Sequence, residues 1–187
     1  MFNELETRLA HIWCYDIRQD YIHNRLWAGE RAIYVAIGMR LRQWLDSHSR
    51  LRIWIESERK YRETHKNVDI TIVKLHDSYQ EGFIYDWNRE IPYTDLIRWE
   101  IKYSLPSSVQ DDLTYMEYSI SENKDVKPYF GWLPRTGTPE KTLKKKQEII
   151  SITAESPLRF FYGHPTKPFQ FSVYAEGKEI YSNSMKY

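Results

Sequence analysis

A mixed α/β fold, with a central β-sheet flanked by helices, is the class this sequence predicts, on three observations. Apolar residues recur at helical spacing through the first quarter of the chain. Three short segments then alternate or run apolar as strands do. A second helical pattern follows them, ahead of further strand-like runs.

Leu5, Leu9, Ile12 and Trp13 recur in steps of one helical turn, which predicts a short amphipathic helix over residues 3–15. A longer helix is expected over 25–46, with the stripe Leu26, Glu30, Ile33, Ile37, Leu41 and Trp44. Glu30 lies on that apolar stripe. Either it complements the dipole near the helix start or it points into a site.

Leu51-Arg52-Ile53-Trp54-Ile55-Glu56 alternates as a strand, and a polar stretch over 57–66 leads into the apolar run Val68–Val73. Residues 76–93, polar and aromatic, predict a loop or an extra hairpin. The run Leu96-Ile97-Arg98-Trp99-Glu100-Ile101-Lys102 is the third strand. Its alternation puts Glu100 and Lys102 on one face, with Trp99 and Ile101 on the other.

Ser107 or Ser108 caps a helix expected over 108–119, and Val126 to Leu133 forms another strand. A polar helix is expected over 139–150. The end is β-like: Phe160 to Tyr162, Phe169 to Tyr174, a Glu176-Gly177 turn, then Ile180-Tyr181. The chain of 187 residues suits one domain, with an N-terminal helical arm (1–24), a core (25–133) and a β-rich C-terminal extension (134–187).

Composition excludes several classes. With 41% hydrophobic and 28% charged residues the chain is globular rather than disordered. A formal net charge of +1 excludes a uniformly basic coat, so a nucleic-acid contact needs a local patch. Residues 76–117 carry nine acids against three Lys or Arg, whereas 40–66 carry eight Lys or Arg against four acids and 118–187 carry eleven against seven. An acidic middle between basic flanks suits a metal site beside a phosphate-binding surface. Ordinary solvated faces give the same tally.

Cys14 is the single cysteine, so no intrachain disulfide forms, which fits a reducing cytoplasm. No apolar stretch has the length of a membrane span. The six histidines lack metal-ligand spacing, which argues against zinc. No glycine-rich phosphate loop and no Gly-x-Ser-x-Gly elbow occurs.

Charges set into strand-like runs are costly near a core unless paired or metal-bound. Asp69 in Val68-Asp69-Ile70, Glu100-Ile101-Lys102 on the next strand, and a helix carrying Gln110-Asp111-Asp112-Leu113 resemble the PD-(D/E)XK nuclease superfamily, whose fold is restriction-endonuclease-like. The long helix before the first strand, with Glu30 inward, fits that layout. The resemblance covers about residues 25–133. Valine precedes Asp69 where the family motif has proline, and the 30 residues between Asp69 and Glu100 imply an inserted hairpin. Gln110 and Tyr115 are five apart, which departs from the motif of the exonuclease branches.

The resemblance implies an endonuclease hydrolysing DNA phosphodiester bonds, with RNA left open as substrate. It implies Mg²⁺, or Mn²⁺ in its place, on Asp69, Glu100 and the main-chain carbonyl of Ile101. Lys102 would orient water or stabilise developing charge. Glu30 or Glu56 would support the site, Glu30 being favoured because family members often carry an acid on that helix. Restriction or defence against foreign DNA is the family's habit, and a homodimer or partner subunit would let a single-site domain cut a duplex. Lys141, Lys144, Lys145 and Lys146, with Arg40 and Arg42, are the candidate grips on a phosphate backbone. The rival reading is a catalytically silent nucleic-acid-binding or protein-interaction module on the same sheet.

Overall fold

A computed structural model describes residues 4–23, 29–45, 50–61, 64–79, 92–104, 110–115, 125–134, 139–164 and 169–183. Helix α1 (Glu4–His11) runs through a wider π-helical turn (Ile12–Ile17) into α2 (Arg18–Ile22), and α3 spans Glu30–Leu45. Strands β1 (Leu51–Tyr61), β2 (Thr64–Leu75) and β3 (Tyr93–Ser104) follow. Residues 110–115 are helical and are called α4. Then come β4 (Lys127–Pro134), α5 (Pro139–Glu155), β5 (Arg159–Gly163), β6 (Phe171–Ala175) and β7 (Lys178–Ser182).

The seven strands form one sheet in sequence order, β1 to β7. β1, β2 and β3 pair antiparallel, β3–β4 and β4–β5 pair parallel, and β6 and β7 return antiparallel. Parallel neighbours need long crossovers, and here each of the two carries helical residues, α4 and α5. The mixed α/β class expected from the sequence is therefore what the chain adopts.

Two apolar clusters lie on opposite faces of the sheet. One joins Leu9, Ile12, Trp13, Ile17, Ile33, Ile37 and Leu41 of the N-terminal helices to Ile70, Ile72, Trp99, Ile101, Tyr129, Phe161 and Phe171. The other joins Leu113 of α4 and Ile149 of α5 to Phe130, Trp132, Phe160, Tyr162 and Tyr174. Strands β4 and β5 are thus buried on both faces, as expected where helices cover both faces of parallel pairs.

Several expectations need correcting. The helix placed over 3–15 continues to Ile22, because the π-helical turn rotates Trp13, Cys14 and Ile17 into the core together. Far from being an arm, this segment supplies the centre of one cluster. Trp13 is fully buried, donates its ring N–H to the Tyr162 carbonyl at 3.0 Å, and packs 5.9 Å from the rings of Trp99, Phe161 and Phe171. The polar stretch 57–66 is not a connector: its described residues extend β1 and β2 as a two-stranded ribbon, from Ser57↔Val68 to Tyr61↔Thr64. The residues expected as an extension past 134 continue the same sheet, with α5 covering it. Residues 80–91, which hold most of the expected loop or hairpin, lie outside the described residues, as does the helix expected over 108–119 except for its residues 110–115.

The Glu176-Gly177 turn is where it was expected. Both residues have positive φ, 52° and 71°, the geometry a two-residue hairpin needs to match strand twist. Gly131 on β4 serves another purpose. A Cβ there would lie 3.0–3.2 Å from Trp99, Ile101 and Trp13, so a larger residue would need these side chains to give by a few tenths of an ångström.

Candidate functional site

The β2–β3 register runs from Leu75↔Tyr93 to Ile70↔Trp99 and stops there, although both strands continue. One residue beyond the last pair stands Asp69, which is half-buried. Its carboxylate Oδ2 accepts the Ile101 backbone N–H at 2.7 Å, so a side chain takes over where the main-chain ladder ends. That contact holds Asp69 against the Glu100-Ile101-Lys102 segment. Glu100 lies opposite Phe130 in register and is only 1% exposed.

Lys102 is bracketed from both helical layers. Its Nζ lies 3.3 Å from Glu30 Oε1 on α3 and 3.6 Å from Asp112 Oδ2 on α4. The second oxygen of Glu30 accepts the Tyr103 backbone N–H at 3.1 Å, which fixes the carboxylate against β3. Burial pulls the proton affinity of the Lys102 ammonium down. The carboxylates of Asp112, Glu30 and Asp69 outweigh it, so its pKa sits above the ordinary lysine value. The amine is therefore a fixed positive charge at neutral pH and cannot act there as a general base.

Of the two supporting acids weighed from sequence, Glu30 touches Lys102, whereas Glu56 accepts the Tyr34 hydroxyl and lies 3.2 Å from Arg31, both on α3. Glu56 has φ of 51°, an uncommon conformation for a non-glycine residue, and occupies the β1 position between Ile55↔Ile70 and Ser57↔Val68. The strand is thus distorted directly beside Asp69. Asp112 belongs to the Gln110-Asp111-Asp112-Leu113 run that carries part of the resemblance, which assigns it no role of its own. Its signal was only that an acid precedes the buried Leu113, and its partner lies on a different element.

Near the end of β3 the carboxylates of Glu30, Asp69 and Asp112 act on the one Lys102 ammonium, and Glu100 is buried two residues earlier on the same strand. Among the described residues, however, no three Asp, Glu, His or Cys side chains are grouped so as to hold a metal ion. The donors available from Asp69, Glu100 and the Ile101 carbonyl are all oxygen. That set fits Mg²⁺, which binds through one or two carboxylates and keeps waters or substrate phosphate for its other positions. It fits zinc poorly.

The expected phosphate grips divide. Lys141 and Lys144 are exposed on α5. Lys145 donates to Glu148 at 2.9 Å and to Gln110 at 3.2 Å. Lys146 is half-buried, with Nζ 4.3 Å from the centre of the Tyr162 ring and 5.1 Å from that of Tyr174. Burial lowers the Lys146 pKa, with Glu179 partly opposing. Arg42 is exposed, whereas Arg40 is tied to Asp20 and lies 4.0 Å from Asp16. The structure therefore leaves Lys141, Lys144 and Arg42 exposed to solvent and packs Lys145, Lys146 and Arg40 into the protein.

Comparison of the chain with family models, with curated proteins and with solved structures returned no match. Among the described residues no helix is long and apolar enough to cross a membrane.

Proposed function

We propose that the chain is a metal-dependent endonuclease of restriction-endonuclease-like fold that hydrolyses phosphodiester bonds in DNA, with RNA an alternative substrate. The observation that carries this reading is the Asp69–Ile101 hydrogen bond, which joins an acid on one strand to the Glu-x-Lys segment of its neighbour at the point where their ladder ends. The order α3, β1, β2, β3, α4, β4, with β3 and β4 parallel, is the layout the PD-(D/E)XK resemblance requires and supports the same reading.

Asp69, Glu100 and the Ile101 carbonyl would hold Mg²⁺, or Mn²⁺ in its place. When bound, the ion offsets charge on the phosphate and acidifies water for attack. The chain's own residues do the rest. Lys102, kept protonated by three carboxylates, presents a positive charge to the phosphoryl oxygens as negative charge grows there. Glu30 ties that lysine to the main chain of β3 through Tyr103, so the charge is preorganised rather than recruited. The apolar cluster on the α3 face packs Ile97, Trp99 and Ile101 of β3 into the core.

Lys141, Lys144 and Arg42 are the residues proposed to meet the phosphate backbone, and a homodimer or partner subunit would supply the second cut in a duplex. The free thiol of Cys14, fully buried, suits a cytoplasmic setting. A role in defence against foreign DNA goes with this reading.

The test is incubation of the purified chain with supercoiled, linear and single-stranded DNA and with RNA, in Mg²⁺, in Mn²⁺ and in EDTA. Cleavage of one or more substrates that needs the metal supports the proposal. Salt-sensitive retention of DNA without cleavage under any of these conditions replaces it with the silent binding module.

A further inference from the structure

Lys102 meets carboxylates from two helices that cover opposite faces of the sheet. Ile33 and Ile37 of α3 belong to the cluster on one face, and Leu113 of α4 belongs to the cluster on the other. Lys102 stands two residues from the end of β3, where its long side chain reaches partners from either layer. The Glu30 carboxylate has a contact of its own at Tyr103 N–H. Asp112 is buried, its side chain 9% exposed, and the Lys102 ammonium is a cation that offsets its charge at 3.6 Å.

A lysine side chain has many rotamers, and one carboxylate partner leaves the ammonium free to swing on an arc around it. A second carboxylate, approaching from the other layer, removes that arc. Burying an acid costs folding free energy, and a buried pair of this kind is seldom the most stable choice for a core. Its value has to be sought in where it holds the charge.

We propose that Asp112 is a positioning residue for the site: together with Glu30 it fixes the Lys102 ammonium in place to face a scissile phosphate. This inference rests on the nuclease reading of the same site. It gives α4 a part in catalysis that the Asp–Glu-x-Lys triad alone does not. It also makes the catalytic charge depend on the docking of both helical layers onto β3.

The experiment is a cycle of Asp112→Asn, Asp112→Glu, Lys102→Met and the double variant Lys102→Met/Asp112→Asn, made in the full chain. Each is read by thermal unfolding and by steady-state cleavage of whichever substrate the wild-type chain cuts. Asp112→Asn is expected to lower kcat by about 10- to 100-fold, the scale of a misplaced catalytic group, with KM changed less than about twofold. Asp112→Glu should recover part of that loss. In the Lys102→Met background Asp112→Asn should cost no further activity. Wild-type kcat in a folded Asp112→Asn variant, or a loss that adds fully to that of Lys102→Met, overturns the inference. Should Asp112→Asn fold poorly, the Asp112→Glu variant carries the test: a kcat loss at unchanged KM supports the role, and unchanged kcat overturns it. If the wild-type chain cuts nothing, the melting data still decide the pairing. A Tm change on Asp112→Asn that vanishes without Lys102 supports the clamp and removes the nuclease reading alone. A Tm change of the same size in both backgrounds overturns the clamp.

Discussion

The Asp69 carboxylate accepts the Ile101 amide proton at 2.7 Å, one residue past the last paired position of β2 and β3. One side chain thereby does two things: it closes the end of a β-ladder and it brings an acid beside Glu100. This double role separates the expected effects of removing the two acids. Asp69→Ala leaves a partly buried N–H without its acceptor and should cost about 1–3 kcal/mol of stability. Glu100→Gln replaces an almost fully buried carboxyl with a neutral amide of the same shape, and should raise the Tm in EDTA. Thermal melts of the two variants without metal should move in opposite directions, while both lose cleavage by more than about 10²-fold.

Lys102→Met should lower kcat by about 10²–10³-fold with little change in KM, since the ammonium acts on charge that develops during the reaction. Single-turnover rates against substrate concentration separate the two parameters.

The same lysine sets a sign for the pH dependence of stability. Its folded-state pKa is raised, so the folded chain holds this proton more tightly than the unfolded chain does. The contribution is fully present below the ordinary lysine pKa of about 10.4 and is lost as pH rises through the raised folded value. Urea titrations between about pH 9 and pH 11.5 should show the wild type losing more stability than Lys102→Met across that window.

On α5 the lysines should behave differently from one another. Lys141→Ala and Lys144→Ala should weaken DNA binding evenly across sequences, each reducing the salt slope by about one. Lys146→Ala should leave that slope unchanged and lower stability instead, because it removes a cation from above the Tyr162 ring. Binding measured over a range of salt concentrations, together with a melt, distinguishes them.

In the core, Trp13→Ala should cost about 3–5 kcal/mol. Gly131→Ala should cost about 1–3 kcal/mol by forcing Trp99, Ile101 or Trp13 from its place. Denaturant unfolding measures both.

What was legible in the sequence follows the range of the interactions concerned. Alternation along β3 sends Trp99 and Ile101 to one cluster and Lys102 toward the other side, because a strand's period of two leaves no freedom. The α3 stripe through Ile33, Ile37 and Leu41 is likewise local. The helix from Glu4 to Ile22 was cut short because a π-helical turn breaks the 3.6-residue phase after Trp13. The placement of β5–β7 beside β4 was not legible, since parallel pairing across a crossover leaves no local mark. In the site, Asp69, Glu100 and Lys102 stood out as charges inside apolar runs. Asp112 did not, because it stands between Asp111 and Leu113 rather than inside an apolar run, and its pairing is made across the fold. The burial of Lys146 was hidden for the same reason, its rings lying on β5 and β6.

The most direct measurement is conversion of supercoiled plasmid by the wild-type chain and by Asp69→Asn, purified side by side, with Mg²⁺ titrated from zero. Metal-dependent nicking or linearisation by the wild type, lost by at least about 10²-fold in Asp69→Asn although the variant remains folded, is the expected result. Equal cleavage by the two proteins, or cleavage that persists in EDTA, would contradict a metal-dependent site built on the Asp69–Ile101 junction.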